Sequence, residues 1–288
     1  MYLGLQVGRG IAALLVVLSH ATIGSAVFYG AAFGDFWYFG HIGVDFFFVL
    51  SGFIIYHAHR RDPAGAAAWW RYARKRLIRI YPPFIVVSVV LLVAHQLLPD
   101  FSRADRDIGL IPSLFLIPTE KSPALAPSWT LMHEMLFYSV FSLWYLSRRA
   151  FVAVLALWGA GILASGLFPG GQMLLDFALN AHNLEFLIGV AVSWLVARGY
   201  RGNWAVLLTG LLLVTGFAVG SHLTDIDQLF GSPIARILYL GTAFGLLVWG
   251  LCFAEEDAGI RFPRALVFLG AASYSIYLVH EPAIALLN

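Results

Sequence analysis

The chain has 288 residues, 60% hydrophobic and 12% charged, with a mean hydropathy of +0.80 and a formal net charge of +2. A soluble domain carries about a quarter charged residues, so this composition describes a polytopic membrane protein. The small net charge and the absence of a long basic–aromatic stretch exclude a nucleic-acid partner.

Apolar stretches long enough to cross hydrocarbon follow one another along the chain. They run roughly over residues 5–23, 37–57, 80–98, 128–146, 150–168, 178–197, 204–220, 234–254 and 267–287. The first contains "RGIAALLVVLSH", Arg9 to His20, and reads as a span and not a cleaved leader, because no Lys or Arg precedes Arg9. The second carries Asp45, the fourth Glu134, the sixth Glu185 and the ninth His280. The apolar segment Ile108–Ile117, broken by Pro112, is too short to cross and either lies in the interface or re-enters. The single cysteine, Cys252, lies in an apolar run, reads as a small core residue, and excludes a disulfide or a cysteine-based metal cluster. No metal site is expected. No linker, composition shift or repeat divides the chain, so residues 1–288 are expected to form one membrane-embedded domain without a soluble domain. The expected fold is an all-α transmembrane bundle of nine or ten spans.

Orientation follows from the positive charges. Arg60, Arg61, Arg71, Arg74, Lys75, Arg76, Arg79, Arg148, Arg149, Arg198, Arg201, Arg261 and Arg264 fall on one side under alternate crossing, which makes thirteen. Arg103, Arg106, Lys121 and Arg236 make four on the other. The first set is therefore placed in the cytoplasm, with the N-terminus inside. On that reading Arg9 lies about 7–8 Å to the cytoplasmic side of its span centre and His20 about 9 Å outward. Four charged groups within spans (Arg9, Asp45, Glu134 and Glu185) would cost about 12 kcal/mol if they faced lipid, at about 3 kcal/mol each. They must face the interior of the bundle.

Arg9 and His20 are eleven residues apart, about three helical turns, so both lie on one face within roughly 20° and about 16 Å apart. This Arg9-x10-His20 pair, "GVDFFFVLSGFII" (Gly43–Ile55), "RYARKRLIRIYPPF" (Arg71–Phe84), "SWTLMHEMLFY" (Ser128–Tyr138), "NLEFLIGV" (Asn183–Val190) and "SYSIYLVHEP" (Ser273–Pro282) run from one terminus to the other. In that order they resemble the membrane acyltransferase 3 family, and within it the exopolysaccharide-production branch. The resemblance implies transfer of an acyl group, often acetyl, from a coenzyme A thioester to a hydroxyl of a sugar, polysaccharide, lipid or small molecule. The family has ten spans against the nine read here, so either Ile108–Ile117 counts or an end is missing. Some relatives add a soluble esterase-like domain, which is not expected in this chain.

With that resemblance, His20 is expected to act as general base, a neutral imidazole taking the proton of an acceptor hydroxyl. Glu134 either orients that imidazole or pairs with another cation, while His280 and Asp45 are expected as polar partners of the catalytic group. Arg9 is expected to hold the donor. In the basic segment Arg71–Arg79, positive-inside topology, anionic lipid and coenzyme A phosphates are compatible roles. Arg76 and Arg79 are the phosphate candidates. Two motifs are discounted: "HIGVD" (His41–Asp45) matches the HxxxD spelling of soluble acyltransferases but lies on a transmembrane helix, and Ser51 has no Gly-x-Ser-x-Gly elbow around it. That leaves direct transfer or a transient acyl-histidine. The expected protein is a multi-pass O-acyltransferase of the bacterial inner membrane. Acyl-CoA is its donor substrate, no cofactor is permanently bound, and its acceptor is a cell-surface or secreted polysaccharide or a lipid-linked precursor. A transporter or flippase of lipid-linked sugars is the alternative, and that class favours repeated halves and broken helices at matched positions.

Overall fold

The computed structural model describes residues 2–29, 35–97, 107–167, 170–224 and 226–287. Arg103 and Arg106, counted above on the outer side, lie outside the described residues. The described chain is all-α. In order, the helices are α1 (Leu3–Tyr29), α2 (Gly43–His59), α3 (Ala66–Leu97), α4 (Leu110–Phe115), α5 (Ser128–Phe141), α6 (Leu143–Leu146) and α7 (Arg148–Ala164). There follow α8 (Met173–Ala178), α9 (Asn183–Ala197), α10 (Trp204–Leu223), α11 (Ile226–Phe230), α12 (Pro233–Glu256) and α13 (Arg264–Leu287).

Seven helical stretches among the described residues are long and apolar enough to cross a membrane: Leu3–Ala26, Tyr38–His59, Ala66–Leu97, Arg148–Leu167, Met173–Ala197, Trp204–Leu223 and Pro233–Glu256. They coincide with the first, second, third, fifth, sixth, seventh and eighth expected spans. The expected fourth span, 128–146, runs as α5 and the single turn of α6, with Ser142 between them at helical dihedrals (φ −56°, ψ −27°). The expected ninth lies in α13, whose Ser273, Tyr274, Ser275, Tyr277, His280 and Glu281 dilute its apolar character. On length and composition, the count among the described residues is seven. The short apolar segment forms the six-residue α4, ended by Leu116 at φ 55°, and the Tyr81 hydroxyl in mid-α3 donates to the Phe115 carbonyl at 2.8 Å.

The chain folds as two compact units. The first takes in the chain up to Arg60 and Ala181–Ile276; the second takes in Arg61–Asn180 and Tyr277–Leu287. In the first unit α2 is the central helix, with 67% of its span buried. Phe46, Val49, Leu50 and Phe53 of α2 pack with Phe244, Val248 and Cys252 of α12, Phe217 of α10 and Val192 of α9. Cys252 is buried, as expected of a core residue.

Lipid is as apolar as a leucine side chain, so helices in a bilayer gain by letting backbones approach. Gly52 and Gly189 do this for α2 and α9: a Cβ on Gly52 would stand 2.1 Å from the Phe186 carbonyl oxygen, and one on Gly189 1.9 Å from that of Val49. Gly43 of α2 meets α1 in the same way at the Ala12 carbonyl.

Helix ends are fixed locally. Asn203 and Ser232 accept hydrogen bonds from the amides of Val206 and Ala235, and Pro233 occupies the first turn of α12. Segments that alternate crossing assigns to one side meet in space. Tyr2 donates to Glu256 at 2.7 Å, the Gly4 amide to Glu255 at 2.8 Å, and Arg201 pairs with Asp257. Arg236 and His41 meet at the other end, at 3.3 Å.

In the second unit the first turns of α3 pack against α5 and α6 through rings. Tyr72 lies 5.5 Å from Phe141 and 5.3 Å from Tyr145, centroid to centroid. Tyr145 donates to Asp62 at 2.8 Å, and Arg148 donates to the Asp62 carbonyl while lying 3.7 Å over the Trp144 ring. Only 11% of the span formed by α7 is buried, and Val152, Leu157 and Leu163 project from it, as suits a helix facing lipid.

Candidate functional site

The residues singled out in the sequence are distributed over both units. Arg9, His20 and Asp45 belong to the first, and Arg76, Arg79, Glu134 and His280 to the second. On α1, Arg9 is half-buried and donates to Gln6 Oε1 at 3.2 Å, which orients its guanidinium along the helix. His20 is also half-buried, and its Nδ1 lies 2.9 Å from the Val16 carbonyl oxygen one turn back. A carbonyl only accepts, so Nδ1 carries the hydrogen and the lone pair is on Nε2. The ring therefore presents a basic atom, held in one tautomer by its own helix.

Asp45 joins a cluster that the sequence did not announce. It sits in the first turn of α2, where the parallel α9 brings up His182 and Glu185. His182 Nδ1 is 3.8 Å from Asp45 Oδ1 and 3.4 Å from Glu185 Oε2. Asp45 is 1% and Glu185 0% exposed. Asp45 Oδ1 and Glu185 Oε1 are both sealed from solvent and receive no N–H or hydroxyl donor. Glu185 was legible as an intramembrane charge. His182 was missed, although His182-x-x-Glu185 puts both on one helical face. Arg236 of α12, counted only for topology, lies close enough for its charge to act on both carboxyls. It also donates to His41 Nε2, whose Nδ1 is 2.9 Å from the Tyr38 carbonyl oxygen. His41 is thus engaged at both nitrogens, in line with setting the HxxxD spelling aside.

In the second unit, Tyr138 donates to Glu134 one turn earlier on α5. The Arg76 guanidinium lies 5.8 Å from the ring centroids of both Tyr72 and Tyr138, within cation–π range. Tyr72 in turn donates to the Tyr138 carbonyl at 3.1 Å. Arg79 is near enough for its charge to act on Tyr138 as well. The structure thus brings Arg76, Arg79 and Glu134 around Tyr138, a residue the sequence reading missed although its i, i+4 spacing from Glu134 was visible. His280 is buried, with Nδ1 2.6 Å from the Tyr277 carbonyl oxygen. Tyr277 is tied to the start of α5 through Thr130 at 3.0 Å and the Pro127 carbonyl at 3.2 Å. A cleft of about 370 Å³ opens beside α5, lined among others by Glu120, Lys121, Trp129, His133 and Phe177. The His133 ring stacks on Phe177 at 4.2 Å.

Comparison with known proteins gives these residues a context. An acyltransferase-domain family model matches residues 2–288. The chain is 30% identical over 274 residues to acyltransferase MdmB of Streptomyces mycarofaciens, covering 84% of this chain and 67% of that one. It is 29% identical over 262 residues to exopolysaccharide production protein ExoZ of Rhizobium meliloti (strain 1021), covering 85% and 77%. Protein 2 in the picA locus of Rhizobium radiobacter is 25% identical over 158 residues, covering 47% and 78%. No solved structure matches. A family match over nearly the whole chain, with seven membrane-length helices among the described residues, is decisive: the chain belongs to the acyltransferase 3 family and is an acyl-transferring enzyme of the membrane.

Proposed function

We propose that the chain is an O-acyltransferase of the bacterial cytoplasmic membrane. It moves an acyl group, acetyl by preference, from acyl-CoA to a hydroxyl of a surface or secreted polysaccharide or its lipid-linked precursor. The observation that carries this reading is the His20 ring, whose Nδ1 is committed to the Val16 carbonyl so that Nε2 is the proton-accepting atom. The acceptor oxygen attacks the thioester carbonyl, its proton moves to Nε2, the C–O bond forms and the C–S bond breaks. The departing thiolate then takes the proton from the imidazolium. Similarity to an exopolysaccharide production protein supports the acceptor class. Mass spectrometry of surface polysaccharide from cells with and without the protein tests it: loss of an ester-linked acyl group is expected, and an unchanged polysaccharide would remove this acceptor class.

The donor is made inside the cell, so it must reach the cytoplasmic end of α1, where Arg9 stands on the proposed orientation. The distance to His20, about 16 Å, is near the length of an extended pantetheine arm. Arg9→Lys should weaken acyl-CoA binding, because a point charge replaces a planar fork, and Arg9→Ala should weaken it further. Calorimetry on the purified variants measures this, and wild-type affinity in Arg9→Ala would remove Arg9 from the donor site. Arg76 and Arg79 are proposed as phosphate contacts, and Glu134, His280 and Asp45 as polar positioning groups.

In the proposed topology the N-terminus is inside and nine segments cross, with α5–α6 and α13 added to the seven long apolar helices. A cysteine at Arg61 or Arg149 should then react only with reagents that enter the cytoplasm, and one at Lys121 with impermeant reagents from outside. Labelling of the Arg61 position from outside would invert the topology.

A further inference from the structure

We propose that Asp45, His182 and Glu185 bind one divalent first-row transition-metal ion at the start of α2 and α9. The three side chains each offer one ligand atom, all within 4.8 Å of one another. They come from two rigid helices whose backbones are in contact one to two turns below, at Gly52 and Gly189. Sites built on rigid elements hold their ligands in place before the ion arrives.

His182 Nδ1 and Glu185 Oε2 make a hydrogen bond at the long limit, 3.4 Å, and the cluster leaves room for an ion beside it. A charge-assisted hydrogen bond would draw nitrogen and oxygen to about 2.7–2.9 Å, whereas His182 Nδ1 stands 3.4 and 3.8 Å from its two carboxylate neighbours. Two ligands each about 2.1 Å from a shared ion stand roughly 3.0–3.4 Å apart at octahedral to tetrahedral angles. The longer separation corresponds to an angle opened to about 130° on the same radius. Asp45 Oδ1 and Glu185 Oε1, in side chains that are 1% and 0% exposed, receive no N–H or hydroxyl donor; the two carboxyls interact with each other, and Glu185 reaches His182 through Oε2. Buried polar atoms are seldom left so, and a cation in the cluster would engage them.

Charge balance points the same way. Two carboxylates and a neutral imidazole around a dication sum to zero, the least costly state to bury in a membrane protein. The positive ends of the α2 and α9 dipoles and the charge of Arg236 offset part of the carboxylate charge. Neither supplies a donor to the two bare oxygens. One imidazole with two carboxylates suits Mn²⁺, Fe²⁺ or Zn²⁺ better than Ca²⁺, which prefers oxygen alone.

The test uses the full chain purified in detergent, with any affinity tag removed. It is incubated with Mn²⁺ or Zn²⁺ alone, desalted and analysed by mass spectrometry for metal. About one ion per chain is expected, with a higher unfolding temperature in metal than in chelator. Asp45→Asn and Glu185→Gln keep side-chain shape and should bind at least about tenfold more weakly. If these variants fail to fold, X-ray absorption at the zinc edge of the wild type decides, since only nitrogen and oxygen neighbours are expected. No retained metal, equal retention by the variants, or a sulfur neighbour would each overturn the site. Failure here leaves acyl transfer by His20 untouched.

Discussion

His20→Gln is expected to fold, insert and bind acyl-CoA as the wild type does, and to transfer acyl groups about 10²–10⁴-fold more slowly. The magnitude is that of losing a general base. Glutamine keeps a polar group of similar reach and can still donate its amide to the Val16 carbonyl, the bond that now holds Nδ1 at 2.9 Å. What it lacks is a basic lone pair where Nε2 stands. Single-turnover measurements at matched donor occupancy separate the chemical step from binding. Transfer by His20→Gln within a few fold of wild type would show that His20 only positions its neighbours. The base would then be sought at Glu134 or His280.

The second large effect is structural. Gly189→Ala places a Cβ 1.9 Å from the Val49 carbonyl oxygen and 2.8 Å from the Phe53 amide nitrogen. Both atoms are backbone, so no side chain can turn aside, and α2 and α9 must separate. Overpacking of this kind costs about 1–3 kcal/mol when side chains can yield, and more is expected where they cannot. Gly216→Ala is the control: its Cβ meets nothing nearer than the Tyr239 hydroxyl at 3.8 Å, and alanine favours the helix. Thermal unfolding in detergent should show a large loss for Gly189→Ala and none for Gly216→Ala. Equal stability of the two variants would refute the close crossing of α2 and α9.

Hydropathy made most of the architecture legible, since seven expected spans coincide with seven long apolar helices. It also placed the fourth at 128–146, which the structure forms as α5 and α6 about a Ser142 with helical dihedrals. Arg9 and His20 were legible because one helix carries both, and helical periodicity fixes their common face. The Asp45 cluster was not, because its members come from helices far apart in sequence and meet only through glycine contacts that no periodicity encodes. Tyr138 lay between these cases: its spacing from Glu134 was visible, but the partnership with Tyr72 and Arg76 depends on how α3 packs against α5 and α6.

The uneven burial of the helices divides the chain into two regimes of substitution. At Leu212 of α10 or Val152 of α7, 70% and 61% exposed, the neighbour is a fluid acyl chain. An extra or missing methylene there is taken up by lipid that rearranges, whereas a charge has no partner. At Phe53 of α2, 1% exposed, the neighbours are fixed side chains packed to crystal-like density, and even another apolar residue is judged on shape. On the exposed faces of α7 and α10 substitution is therefore screened by polarity, while on α2, and at the buried Phe151 of α7 and Phe217 of α10, it is screened by volume. The exposed faces of α7 and α10 can adapt to bilayers of different thickness and composition without disturbing the packing around α2.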